Sequence, residues 1–180
     1  MSSTDLGINY AHQENYFDDF ETEILLPQKQ TYFGPALSAT DLNRDGLGDF
    51  YVGGAQGQNG TFQIQQADGT FAELTPPPFL LDLQCEDTDA VFVDPNQDGI
   101  NDLIVLSGGS GDVVGNDPET LQDRFYASNG TQWGKIANVM PSLKTASHAI
   151  IKTNLDADPV SELLILGAAV PGQYLSLIHI

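Results

Sequence analysis

Short apolar runs alternate with acidic strips along the chain, and each strip joins two predicted β-strands. The runs before the strips are ALSAT from Ala36, AVFV from Ala90 and HAII from His148. The runs after the strips are DFYVGG from Asp49, DLIVLSGG from Asp102 and ELLILGAA from Glu162. Runs of this length, rich in β-branched and aromatic residues, are typical of strands. The sequence therefore predicts three strand pairs.

A hairpin follows each of the first two strand pairs. TFQIQQ from Thr61 alternates apolar and polar residues, and an Ala-Asp-Gly turn leads from it into FAEL at Phe71. The second hairpin consists of RFYAS from Arg124, an Asn-Gly turn and TQWGKI. The third copy stops after its second strand. Four antiparallel strands with short turns make a propeller blade. The predicted fold class is all-β, a partial β-propeller of about two and a half four-stranded antiparallel blades.

The acidic strips begin at residues 41, 94 and 154, so the intervals between them are 53 and 60 residues. Such spacing suits one supersecondary unit per repeat. We divide the chain into a lead-in segment (1–32), a first blade (33–84), a second blade (85–140) and the start of a third (141–174). The last six residues, LSLIHI, resemble a translated sequencing adapter, and we expect 175–180 to be a non-native tail.

Each strip places oxygen-bearing side chains at its first, third, fifth and ninth positions. These are Asp41, Asn43, Asp45 and Asp49; Asp94, Asn96, Asp98 and Asp102; and Asn154, Asp156, Asp158 and Glu162. Ca²⁺ takes six to eight oxygen ligands, and a short loop supplies them by curling around the ion. Glycine at position six, Gly46 and Gly99, allows the tight turn. Position seven would add a backbone carbonyl, from Leu47, Ile100 and Val160. We expect calcium at these loops.

The strips resemble two other kinds of loop. An EF-hand ends its loop with Glu at position twelve and continues into a helix, but position twelve here is Val52, Val105 or Ile165, inside a predicted strand. The strips could also be plain solvated turns. Three copies in register at matching strand boundaries disfavour that alternative.

The charge of the chain excludes several partners. Six Lys and Arg stand against 25 Asp and Glu, a formal net charge of -19, so the chain lacks the basic footprint that nucleic acid binding needs. No apolar stretch is long enough for a membrane helix, and we expect no membrane span. Metal ions would neutralise part of the self-repulsion that this charge produces.

Other candidate chemistry has little support in the sequence. Cys85 is the only cysteine, and the three histidines are scattered, which disfavours a zinc site or a cysteine nucleophile. The acidic groups Asp18-Asp19 and Glu86-Asp87-Asp89 could act in acid–base catalysis. In so acidic a chain we expect most of them to be solvated, and we expect no enzyme activity. Trp133 is expected to pack between blades rather than to stack on a sugar.

Three segments resemble the FG-GAP/VCBS repeat family, the calcium-loop blades of integrin-type propellers. They are two strips with their following strands, DLNRDGLGDFYVGGAQGQ and DPNQDGINDLIVLSGG, and FGPA at Phe33. HQENYFDDF and LQDRFYASNG resemble its secreted bacterial branch, which often carries an ASPIC/UnbV module. The resemblance implies about seven blades in a closed ring, so we expect this chain to be a fragment whose partners include the remaining blades. It also implies an extracellular or cell-surface location, with a signal peptide outside the fragment. The third loop departs from the pattern at Pro159 and Glu162, and whether it binds metal stays open.

We expect a calcium-binding, non-enzymatic scaffold for binding or adhesion, with a protein or glycan ligand whose identity the sequence does not reveal. Loops on a rigid scaffold commonly carry recognition, so residues 55–60 and 108–119 are the expected contact surfaces. The alternative is an accessory propeller of a secreted polysaccharide-active enzyme. A calcium sensor is the least favoured function, because a loop held between two strands has little freedom to change the conformation of the protein.

Overall fold

The computed structural model describes residues 2–16, 18–22, 24, 34–109, 118–143, 145–156, 158 and 161–169. Residues 159, 160 and 175–180, Phe33 and most of the predicted contact loop 108–119 lie outside the described residues. The described strands are β1 (Leu37–Thr40), β2 (Asp49–Val52), β3 (Thr61–Gln65), β4 (Phe71–Leu74), β5 (Glu86–Val93), β6 (Asp102–Gly108), β7 (Arg124–Ser128), β8 (Trp133–Lys135), β9 (Ala146–Thr153) and β10 (Glu162–Ala169). The described helices are one α-helical turn, α1 (Asp19–Thr22), and two 3-10 helices, Pro77–Leu81 and Pro118–Leu121.

The strands form three antiparallel sheets in the order of the chain. The first sheet is β1-β2-β3-β4, the second is β5-β6-β7-β8, and the third consists of β9 and β10. Each predicted strand is present in the described residues, and the all-β fold class is confirmed. The strip loops connect the first and second strands of each sheet, so the two strip loops of the complete sheets lie at corresponding ends.

Strand β5 is longer than the apolar run that predicted it. It begins at Glu86, four residues before Ala90, and runs as far as Val93. Its acidic first half pairs with the apolar end of β6, for example Asp87 with Ser107. The sequence pattern missed this half because charged residues are depleted in strands unless buried partners hold them.

The first two sheets pack face to face through aromatic side chains. Tyr51 and Phe62 from the first sheet contact Phe79 of the first 3-10 helix, with ring centroids 5.6 and 5.3 Å from it. Trp133 of the second sheet lies 4.9 Å from Phe62 between ring centroids, which confirms that it packs between blades. Edge-to-face pairs of this kind add to the free energy of burying apolar area.

A second apolar cluster joins the second and third sheets. Its buried members are Val93, Ile104, Leu106, Phe125 and Ile150. Strand β6 is buried along its whole length, because it faces the first sheet on one side and the third on the other. Among the described strands, β6 therefore joins the two apolar clusters.

A buried ion pair within the second sheet holds a carboxylate that also binds the first sheet. Nη2 of Arg124, on β7, lies 2.5 Å from Oδ1 of Asp87, on β5, and both side chains are 3% exposed. Asp87 also accepts hydrogen bonds from the Tyr51 hydroxyl at 2.6 Å and from the Gly54 N–H at 2.8 Å. Tyr51 and Gly54 belong to the first sheet and its loop, so one carboxylate binds both blades.

The expectation that Glu86 and Asp87 are solvated is wrong. Glu86 and Asp87 are only 5% and 3% exposed. The hydrogen bonds and the cation around Asp87 offset the cost of removing its charge from water. Burial by itself lowers the pKa of Arg124, but the Asp87 carboxylate raises it well above its ordinary value. Burial, followed by the Asp87 charge, raises the pKa of Tyr51 strongly, so this hydroxyl remains a donor.

Asp123 plays a similar part between the second and third sheets. It accepts hydrogen bonds from the Ser107 N–H at 2.9 Å and from the Ser147 hydroxyl at 2.9 Å. Burial raises the pKa of its carboxyl. Nearby, Asp89 accepts the N–H of Ile150 at 2.9 Å. Carboxylates from the middle blade thus bind donors of both neighbouring blades.

Replacing Asp87 with alanine should destabilise the chain by about 3–5 kcal/mol, because it leaves the buried Arg124 guanidinium without its counter-charge. Urea denaturation of the full chain measures this. Glu73→Ala, which removes an exposed carboxylate from β4, is the matched control and should stay within about 0.5 kcal/mol of the parent. Equal stabilities for the two variants would contradict the role given to Asp87.

Candidate metal centre

The first strip loop, 41–49, is folded around its own side-chain oxygens. Asp41 accepts the N–H groups of Asp45 and Gly46, at 3.1 and 2.9 Å, one on each carboxylate oxygen. Asn43 accepts the N–H of Asp45 at 3.1 Å and donates its amide to Asp45 Oδ2 at 2.9 Å. Oδ1 of Asp45 accepts the N–H of Leu47 at 2.8 Å. The predicted residues at positions one, three and five are therefore together.

The second strip loop, 94–102, repeats this pattern. Asp94 accepts the N–H groups of Asp98 and Gly99 at 3.1 and 2.9 Å. Asn96 accepts the N–H of Asp98 at 3.2 Å and donates to its carboxylate at 2.9 Å. Asp98 accepts the N–H of Ile100 at 2.7 Å. Two loops with different intervening residues thus reach the same geometry.

Position six has the left-handed backbone that the sequence predicted. The φ angles of Gly46 and Gly99 are 85° and 76°. Position four, Arg44 and Gln97, is also left-handed, with φ of 61° and 56°, which the sequence did not indicate. Two left-handed residues within one loop turn successive N–H groups inward, onto the carboxylates, and produce the curl.

The ninth residue of each loop is buried and fixes the loop to the sheet. Asp49 is 0% exposed, and its carboxylate accepts the N–H of Leu42 at 2.9 Å and of Gln65, the last residue of β3, at 2.8 Å. Asp102 accepts the N–H of Ser128, the last residue of β7, at 2.8 Å. Position two of the second loop is Pro95, which has no N–H to donate. These links to the third strand could not be predicted from the loop alone.

Asp102 lies in a strongly negative environment. Burial raises the pKa of its carboxyl, and the neighbouring charges of Asp98 and Asp94 raise it further. The hydrogen bond from Ser128 acts in the opposite direction. A bound cation would relieve this repulsion.

Among the described residues, the third loop gathers three carboxylates. Asp156, Asp158 and Glu162 each place a carboxylate oxygen within 4.8 Å of the others. Glu162 accepts the N–H of Leu155 at 2.6 Å, which is the contact that Asp49 makes with position two in the first loop. Asn154 donates its amide to the backbone oxygen of Asp158. The longer Glu side chain thus performs the closing role of Asp, whereas Val160 lies outside the described residues.

The donor set of the loops fits a hard cation. Every predicted side-chain ligand offers carboxylate or amide oxygen, and a carboxylate has about four acceptor sites, so lone pairs remain after the N–H contacts above. Oxygen-only sets select Ca²⁺ or Mg²⁺ rather than softer metals. The flexible coordination number of Ca²⁺ suits a loop of mixed side chains better than the strict octahedron of Mg²⁺ does.

A cavity of about 590 Å³ lies near the end of the sheets opposite the loops. It is formed by the connections around the two 3-10 helices and by the segment after β8; lining residues include Asp82, Cys85, Asp123, Arg124, Lys135 and Met140. Lys135 pairs with Asp82 at 2.5 Å. Burial raises the pKa of the Cys85 thiol, which keeps it protonated and disfavours a nucleophilic role.

Comparison with known sequences matches the part of the chain that carries the first two loops. Residues 41–105 match the FG-GAP-like repeat. The matched FG-GAP-like repeat therefore spans the first loop, the rest of the first blade, and the second loop into β6. Such repeats often bind calcium.

One relative shares much more of the chain. Phosphatidylinositol-glycan-specific phospholipase D of Mus musculus is 31% identical over 161 residues, covering 77% of this chain. The chain spans 19% of the length of that relative. No helix among the described residues is long and apolar enough to cross a membrane.

Replacing Gly46 with alanine should destabilise the chain by about 1 kcal/mol, because the left-handed backbone strains any residue with a Cβ. No atom lies within 4 Å of the added methyl group, so the effect would report conformation alone. Gly134→Ala is the matched control, since it also meets open space but has no left-handed backbone. Urea denaturation of both variants measures the difference, and a Gly46 variant as stable as the Gly134 variant would contradict the assignment.

Proposed function

We propose that this chain is a segment of a calcium-stabilised extracellular β-propeller that acts as a non-enzymatic scaffold for binding or adhesion. The observation that carries the proposal is the matching geometry of the loops 41–49 and 94–102. Each loop already points its carboxylates inward in the same hydrogen-bond pattern. A shared geometry in two loops of different sequence favours a shared ligand over two unrelated solvated turns.

The residues that would hold the ions are the side chains at positions one, three, five and nine of each loop, with the carbonyl of position seven. The ion would supply positive charge among acids that repel one another. Its role would be structural, because Asp49 and Asp102 join each loop to the first and third strands of a blade. Metal binding to a folded loop adds its binding free energy to stability.

The ligand would bind at the opposite end of the sheets. The cavity there lies on connections between the strands, and the loop 55–60 is held by the lead-in segment, which bonds Gln56, Gln58 and Asn59. The lining of the cavity combines charged side chains with Leu81 and Ile136, which are 82% and 45% exposed. A concave surface with a few convergent polar groups is the usual form of a ligand site. We propose a protein or glycan ligand.

The remaining blades of the ring would be further partners of this chain. The third sheet has two described strands where the others have four, and Ile151 and Leu166 are 50% and 44% exposed. We also propose that the protein belongs to the secreted bacterial type, in which an ASPIC/UnbV module often follows the propeller.

A second candidate function is an accessory propeller of a larger secreted enzyme. The observation that favours it is the similarity to a relative named as a phospholipase, of which this chain covers 19%. Assay of the longer protein, with and without these residues, against polysaccharide and phosphatidylinositol-glycan substrates tests it. Hydrolysis that depends on a module outside residues 1–180 would support the accessory role, and an inactive longer protein would contradict it.

Calcium should raise the midpoint of thermal unfolding of the chain, and chelator should reverse the effect, because the ion binds only the folded loops.

Asp45→Ala should reduce the stoichiometry of calcium binding by one, measured by isothermal titration calorimetry. Asp68→Ala, an exposed acid in the turn between β3 and β4, is the control and should leave the stoichiometry unchanged. An unfolding midpoint that does not respond to calcium would overturn the structural role of the metal.

A further inference from the structure

The loops 41–49 and 94–102 belong to neighbouring blades and are in contact. The amide of Asn101, at position eight of the second loop, donates to the hydroxyl of Thr40 at 2.7 Å. Thr40 ends β1 and directly precedes the first loop. The second loop is therefore joined to the residue at which the first loop begins.

Arg44 extends from the first loop to the turn of the second. Its Nη2 lies 3.2 Å from the position that a Cβ on Gly99 would occupy, and its Cζ lies 3.9 Å from it. Gly99 donates its N–H to Asp94, a predicted metal ligand. The guanidinium therefore stands beside the part of the second loop that curls around its carboxylates.

The charge of Arg44 is unusual in its setting. The chain has six Lys and Arg in total, and the second loop alone has the three acids Asp94, Asp98 and Asp102. The corresponding position in the second loop is the neutral Gln97, so the fold does not need a cation at position four. An arginine remains charged at any physiological pH, and a fixed positive charge opposes a dication nearby.

We propose that Arg44 is an internal counter-cation of the second loop, which offsets its negative charge in the metal-free protein and lowers its affinity for calcium. This inference rests on the proposed calcium binding of the loops. Its consequence is that the loops are unequal: the second loop has the weaker affinity because the first blade places a cation against it.

Calcium titration of the ¹⁵N-labelled full chain, followed by NMR, tests the proposal one loop at a time. The amides of Gly46 and Gly99 report the two loops separately. Arg44→Gln should raise the calcium affinity read at Gly99 by roughly three- to tenfold, and Arg44→Met should do the same, because one opposing charge is removed. Arg44→Lys keeps the charge and should stay within about twofold of the parent. Lys152→Gln removes one exposed charge from β9 and controls for the net charge of the chain.

Each other outcome overturns the proposal in a recognisable way. An unchanged affinity at Gly99 in both neutral variants, or an equal gain in Lys152→Gln, would show that Arg44 has no specific effect. A gain confined to Gly46 would show that Arg44 acts within its own loop. Calcium binding at neither glycine in the parent would overturn the proposed function as well, whereas normal binding in the parent with no effect of Arg44 would overturn this inference alone.

Discussion

The carboxylate of Asp87 determines how the first two blades fit together. A blade buries its apolar faces against its neighbours, and apolar contact alone does not fix the angle or the register between two sheets. Asp87 has donors on both sides, Arg124 from its own blade and Tyr51 and Gly54 from the first. Because a buried charge without partners is costly, one arrangement is favoured over slipped alternatives. The contact between Thr40 and Asn101 at the loop end follows from that arrangement.

Much of the fold could be predicted because the chain repeats its own pattern. The alternation of apolar and polar residues within a few positions is enough to locate a strand, and the acidic strips recur at the same place between strands. The buried network could not be predicted, because Asp87 and Arg124 are 37 residues apart and an acidic run in an acidic chain has the composition of a solvated surface. The Arg44 contact with Gly99 is likewise between blades. Local sequence thus predicts the strands and loops of each blade, whereas the interactions between blades depend on how the blades pack.

The candidate metal site also has one part that the sequence predicts and one part that it does not. Positions one, three and five of each loop interact within six residues, so their spacing is enough to predict that they converge. The ninth position has a second role that spacing does not show, since Asp49 also holds the end of β3. In the third loop, Pro159 and Glu162 left metal binding open, yet Asp156, Asp158 and Glu162 place carboxylate oxygens within 4.8 Å of one another. The longer Glu162 side chain accepts the N–H of position two, as Asp49 does in the first loop.

The strip loops are ordered by their own hydrogen bonds, and this bears on what a bound ion would do. A sensor requires two states of similar free energy that the ion distinguishes. In the loop 94–102, side chains accept the N–H groups of Asp98, Gly99 and Ile100, and Asp102 is bound to β7. Little of the loop is left to reorganise. An ion that enters such a loop would mainly remove repulsion among its acids, and so would stabilise the blade without changing its shape.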